Sequence, residues 1–103
     1  MRAQPTYTRA IVRPPAASFK DGVTEAGLGV PDFSKALRQH SEYCKVLEAI
    51  GLEVISLPAS DKFPDSCFVE DTAIIANGTA VITRLGHESR RGEEVEVEQV
   101  LAR

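Results

Sequence analysis

Apolar and polar positions along the chain predict six elements. Tyr7 to Arg13 reads Tyr-Thr-Arg-Ala-Ile-Val-Arg, a short strand that must stop at Pro14-Pro15 because proline cannot donate to a β ladder. Residues 14–31 follow with no period of their own, punctuated by Pro14, Pro15, Gly22, Gly27, Gly29 and Pro31. A connection this long inside a compact domain is more often a lid or binding loop than an ordinary turn, although a loose surface connection is the plain alternative. Asp32 then reads as the N-cap of a helix. Phe33, Ala36, Leu37, His40, Tyr43, Cys44, Leu47 and Ile50 recur at spacings of three and four, with Lys35, Arg38, Gln39, Glu42, Lys45 and Glu48 on the other face. Gly51, free to adopt positive φ, is the expected stop. Leu52 to Leu57 is a second strand, closed by Pro58. Thr72 to Ala76 and Thr79 to Arg84 are β-branched runs flanking Asn77-Gly78, the dipeptide that favours a type I′ hairpin turn. Ser89 is placed to cap a last helix with Glu93 and Glu94 in its first turn and an incomplete stripe of Val95, Val97, Val100 and Leu101.

That order, β, long loop, α, β, β-hairpin, α, predicts an α/β chain. With 103 residues it is one domain at most. The last periodic run reaches Arg103 without a Gly, Asn or Pro to end it, so the expectation is a partial domain over 1–103, the front of something larger. The apolar fraction of 43% and the charged fraction of 26% are those of an ordinary globular protein. The net charge of −3 comes with no basic patch to neutralise phosphates, so nucleic acid is not an expected partner. The opening Met-Arg-Ala-Gln-Pro-Thr, with no apolar core behind it, is not expected to be a signal peptide, and no run approaches the roughly 20 apolar residues of a membrane span. Cys44 and Cys67 have no metal-ligand spacing and no C-x-x-C, so two buried free thiols in a cytoplasmic protein are expected.

The chemistry concentrates in Phe63-Pro-Asp-Ser-Cys-Phe-Val-Glu-Asp71. It sets Asp65, Glu70 and Asp71 within seven positions of an otherwise apolar segment. Carboxylates are seldom buried without a partner, so these are either solvated at a loop or kept for a cation. The hairpin that follows is expected to return Arg84, Arg90 and Arg91 to the same sheet end, with Phe68 and Val69 packing beneath. Acid on one side and arginine on the other would suit a zwitterion with a cationic side chain, through planar, charge-assisted hydrogen bonds. The blander alternative is that acids and arginines pair with one another at a surface, each pair contributing at most ~1 kcal/mol. His40, on the edge of the helical stripe, reads as a packed or hydrogen-bonded helix residue.

Taken together, Ser18-Phe-Lys-Asp-Gly22, Leu28-Gly-Val-Pro-Asp32, Gln39-His40, the string Phe63 to Asp71, Ile82-Thr-Arg84 and Glu88-Ser-Arg-Arg-Gly-Glu93 resemble the dimethylarginine dimethylaminohydrolases, bacterial members above all. The likeness runs from about Arg13 to the C-terminus. It implies about two ββαβ modules of a five-bladed, pseudo-symmetric α/β propeller. The activity it implies is hydrolysis of N-methylated arginines to citrulline with release of methylamine or dimethylamine, using no cofactor and no metal. It further implies that Asp65, Glu70 and Asp71 bind the substrate, Asp71 being the first candidate for the guanidinium, and that Arg90 binds its carboxylate. Val23 falls where the family usually has a Leu on its lid loop, and its carbonyl would meet the α-amino group. The family's nucleophilic Cys and its general acid/base His match no position here, so no catalytic residue is assigned and no turnover is expected of the chain alone. Self-association through faces left by the missing modules is the expected consequence. Two alternatives stand beside this reading: a non-catalytic binding or assembly module, and an amidine hydrolase acting on arginine or agmatine.

Overall fold

A computed structural model describes residues 7–22 and 32–102. β1 (Arg9–Val12) and β2 (Glu53–Ser56) pair in parallel, with Arg9 opposite Glu53 and Val12 opposite Ser56. Parallel neighbours need a crossover, and α1 (Phe33–Ala49) provides it, packing back on β2. Both helix ends follow the expected chemistry. Asp32 accepts a hydrogen bond from the Lys35 amide at 3.1 Å. At the other end Gly51 has φ +99°, and the amides of Gly51 and Leu52 donate to Glu48 O and Leu47 O, a Schellman stop.

The apolar stripe of α1 is only half used. Phe33, Ala36, His40, Cys44 and Leu47 are half-buried, whereas Tyr43 and Ile50 stay largely exposed. His40 lies 3.5 Å from the sulfur of Cys44, one turn along, and burial lowers its pKa. The thiols are half-buried rather than buried.

The second sheet is the hairpin expected at Asn77-Gly78. β3 (Ala73–Ala76) pairs antiparallel with β4 (Thr79–Ile82), Ala76 lying opposite Thr79. Asn77 and Gly78 have φ of 52° and 75°, as a type I′ turn requires. Its strands are less covered than their composition suggests, with Ile74, Ile75 and Val81 all more than half exposed.

The core gathers under α2 (Glu94–Leu101). Leu57, Val97 and Val100 are buried together, with Ile11, Ile55, Val69 and Leu101 packed around them. Arg13, 2% exposed at the end of β1, donates to Pro58 O at 3.0 Å and reaches Glu96 at 3.4 Å, tying both strand ends to α2.

Two further expectations change. The connection after Pro15 is not featureless: Ala17–Asp21 forms a 3₁₀ turn, a single turn too short to give the sequence a period. Ser89 does not cap the last helix, which begins five residues later. His87 caps a separate turn at Glu88–Arg90, its Nδ1 accepting from the Ser89 amide at 3.2 Å. Gly92, at φ +114°, then breaks the chain direction before α2 can start.

Candidate functional site

The Phe63–Asp71 string folds as two successive tight turns. In the first, Ser66 N donates to Phe63 O and Phe68 N to Asp65 O. The second, Val69–Thr72, places Glu70 and Asp71 directly before β3. Thr72, 1% exposed, locks this turn by donating from Oγ1 to Val69 O at 2.6 Å. Thr83, returning from β4, donates from Oγ1 to the Asp71 carbonyl at 2.6 Å, and its amide donates to Thr72 O at 2.9 Å. The hairpin therefore clamps the backbone beneath the acids.

The three carboxylates occupy three different environments. Asp65 is buried and packed against Gly22, where a Cβ would strike its Oδ1. Only a glycine permits that approach. Asp71 is half-exposed and pairs with Arg90, whose Nη1 donates to Oδ2 at 2.8 Å. Glu70 is exposed and has no hydrogen bond or ion pair among the described residues. It stands on the wall shared by two cavities. One, of about 490 Å³, lies under β3 beside Ile75, Val97 and Leu101. The other, of about 610 Å³, lies toward α1 beside Phe19, His40 and Cys67. Phe68, expected beneath the acids, is instead 39% exposed and tilted against Phe19 at 6.0 Å between ring centroids. Val69 does pack into the core.

Arg90 joins the pieces. Its Nε donates to both oxygens of Glu93, at 3.2 and 3.1 Å, and Nη2 donates to Glu93 Oε1 at 2.9 Å. Nη2 also reaches the carbonyls of Asp65 and Phe68, both at 3.3 Å. One guanidinium thus ties both turns of the acidic string to the start of α2. Burial disfavours its charge, but the hydrogen bonds and charges of Glu93 and Asp71 outweigh that and raise the Arg90 pKa above its ordinary value. The mutual pairing of acids and arginines is therefore present, and it is not the weak surface kind, because the Glu93 side chain is 1% exposed. The other two arginines take no part. Arg91 turns away to the carbonyls of Leu85 and Gly86, and Arg84 is exposed. Val23 lies outside the described residues.

Glu93 is the site residue the sequence reading missed. The sequence pattern places it at a helix terminus, where an acid is favourable. The available signal was its spacing of three from Arg90 across a glycine, which allows the turn to bring the two side chains together.

Neither thiol is prepared for nucleophilic chemistry. Burial, then Asp65 and to a lesser extent Glu70, push Cys67 up to about 11, against the lowering effects of its own backbone hydrogen bond and Arg90. Burial and Glu48 raise Cys44. Only about one Cys67 thiol in a thousand is then ionised at pH 8. Its alkylation by iodoacetamide should accelerate about tenfold per pH unit up to pH 11. A plateau near pH 9 would show an ordinary thiol instead.

With this geometry in view, similarity to known proteins is specific. A family model described as N,N dimethylarginine dimethylhydrolase, eukaryotic, matches residues 32–103. The N(G),N(G)-dimethylarginine dimethylaminohydrolase of Pseudomonas aeruginosa is 43% identical over 97 residues, covering 94% of this chain and 38% of that protein. The Streptomyces coelicolor protein of the same name is 40% identical over 96 residues, covering 92% and 37%. Among solved structures, a dimethylarginine dimethylaminohydrolase adduct with S-methyl-L-thiocitrulline superposes with a TM-score of 0.89 at 43% identity, over 93% of this chain and 38% of that one. A mutant of the Pseudomonas aeruginosa enzyme complexed with citrulline gives 0.88 at 43% identity, over 92% and 37%. The chain thus spans less than two-fifths of the length of these relatives. It shares their α/β fold over that span, and it belongs to the dimethylarginine dimethylaminohydrolase family.

Proposed function

We propose that this chain is the N-terminal, substrate-recognition portion of a hydrolase that converts N-methylated arginines to citrulline and methylamine or dimethylamine. In this reading it forms about two ββαβ modules of a five-bladed α/β propeller. The observation that carries it is the acidic turn itself. Asp65, Glu70 and Asp71 stand on two backbone-clamped turns, Glu70 lines both cavities, each large enough for an amino acid, and the family's relatives are named for dimethylarginine. A methylated guanidinium is a delocalised planar cation that such carboxylates hold by charge-assisted hydrogen bonds. Glu70 is the acid most open to a ligand, and Asp71 joins it by giving up part of its pairing with Arg90. Asp65 lies against Gly22, and the resemblance gives the contact with the α-amino group to the Val23 carbonyl. Arg90 has one Nη1 hydrogen unpartnered among the described residues, and with it receives the ligand carboxylate. Cys44 and Cys67 bind no reacting carbon; the nucleophile and the general acid/base lie outside this set of residues.

Calorimetric titration of the purified chain with asymmetric dimethylarginine, arginine, agmatine and citrulline tests the assignment. Heat with dimethylarginine and citrulline, and less with arginine and agmatine, is the expected order. Preference for arginine or agmatine would move the substrate to another amidine. A well-folded chain that binds none would favour a second reading, an assembly module. The exposed Ile74, Ile75 and Val81 of the hairpin support that one, because apolar positions of this kind promote association with other modules or with a second copy. The solution mass measured alongside would then exceed that of a single chain.

A further inference from the structure

We infer that Glu93 is a positioning residue, holding Arg90 so that its Nη1 edge is presented to the ligand carboxylate. The inference rests on the substrate-recognition reading above. Glu93 is the most deeply buried carboxylate among the described residues, and among them it has Arg90 as its one ion-pair partner. Buried carboxylates are costly, so one kept at a turn beside a binding arginine has a reason to be there. The hydrogen-bond arrangement supplies that reason. Glu93 closes the Nε–Nη2 side of the guanidinium with three short contacts, and the carbonyls of Asp65 and Phe68 take the rest of Nη2. The plane of the group is fixed, and Nη1 is the one nitrogen left facing the half-exposed Asp71. A flexible arginine would reach Asp71 in many ways; this one reaches it in one.

Charge and position make different demands, which makes the role testable. Glu93 also cancels Arg90's positive charge, so a mere charge effect of removing it would strengthen carboxylate binding. Loss of position would weaken it. Glu93→Asp keeps the charge but withdraws it by one methylene, so it cannot bridge Nε and Nη2 together. Asymmetric dimethylarginine and its decarboxylated counterpart, titrated into wild type and variant, separate the two ends of the ligand. Glu93→Asp should bind the amino acid roughly tenfold more weakly, the size of a lost charge-assisted hydrogen bond. Its affinity for the decarboxylated compound should change less than about twofold, because that ligand makes no use of Arg90. Should Glu93→Asp not fold, Glu93→Gln serves in its place. It keeps the length but turns a donor toward Nη2, and the same selective loss is expected.

Equal losses on both ligands would make Glu93 a structural residue only and overturn the inference. Unchanged binding, or tighter amino-acid binding by Glu93→Gln, would overturn it too. Wild type that binds both ligands equally well would remove Arg90 from the carboxylate while leaving the guanidinium end intact. Wild type that binds neither brings down the substrate-recognition reading itself, and this inference with it.

Discussion

Replacing Arg90 by alanine should cost about 3–5 kcal/mol of unfolding free energy, the usual result of stranding a buried charge. Two carboxylates, Glu93 and Asp71, lose their arginine partner at once. The Glu93 side chain, 1% exposed, is left buried without its ion-pair partner. The carbonyls of Asp65 and Phe68 lose the donor that crosses from one turn to the next. A domain of this size has roughly 5–15 kcal/mol in total, so the loss is a large share. Urea unfolding followed by far-UV circular dichroism reads it directly. Arg90→Lys should fall between, since an ammonium delivers a point charge but cannot fork to Glu93 and Asp71 together. The decisive comparison is the double variant Arg90→Met with Glu93→Leu. Removing both charges leaves no buried charge stranded, only the half-exposed Asp71 unpaired, and should recover most of the loss, because buried pairs are often no more stable than a well-packed apolar replacement. A loss below about 1 kcal/mol in Arg90→Ala would put this pair among exposed ion pairs and remove its organising role.

How far the sequence could lead to this arrangement depends on the range of each interaction. The Asp32 cap, the Gly51 stop and the Asn77-Gly78 turn are local, and all three stand where the sequence places them. Asp65, Glu70 and Asp71 were conspicuous because an apolar segment has no folding need for them. Their separate environments were not legible. Gly22 lies far upstream of Asp65 in sequence, and the approach of its backbone to that carboxylate is a tertiary fact. Thr83 belongs to a β-branched run, and nothing local marks its hydroxyl as the clamp on Asp71 O. Arg90 stands out in the sequence, but its role there has two candidate answers, ligand carboxylate or mutual pairing. The geometry shows that pairing, with a buried partner that helix-terminus reasoning had spent elsewhere. Ser89 failed as a cap for a related reason. A local rule identified a competent residue, and His87, one position before Glu88, took its amide first.

Gly92→Ala is the other large effect, and it tests whether the turn between Arg90 and Glu93 needs its shape. Two penalties coincide there. The backbone has φ +114°, outside the conformations an L side chain readily adopts. A Cβ would also lie 2.7 Å from Cζ of Phe63, the first residue of the acidic string. Strain of this kind costs on the order of 1–3 kcal/mol and a crowded ring costs a similar amount, so a total of about 2–4 kcal/mol is expected after relaxation. The two can be separated. Adding Phe63→Ala frees the space but leaves φ unchanged, so the double variant should regain only the steric part relative to Phe63→Ala alone. Gly86→Ala is the control: nothing lies within 4 Å of its Cβ, and a surface change of that sort should stay within about 0.5 kcal/mol. The functional consequence follows from the same geometry. Relief of the strain by opening the turn would draw Glu93 off Nε and Nη2, so Gly92→Ala should lose amino-acid binding in the pattern of Glu93→Asp, with a stability loss added. Wild-type stability in Gly92→Ala would show that the turn accepts a side chain, and Glu93 would then be held by α2 rather than by the glycine that precedes it.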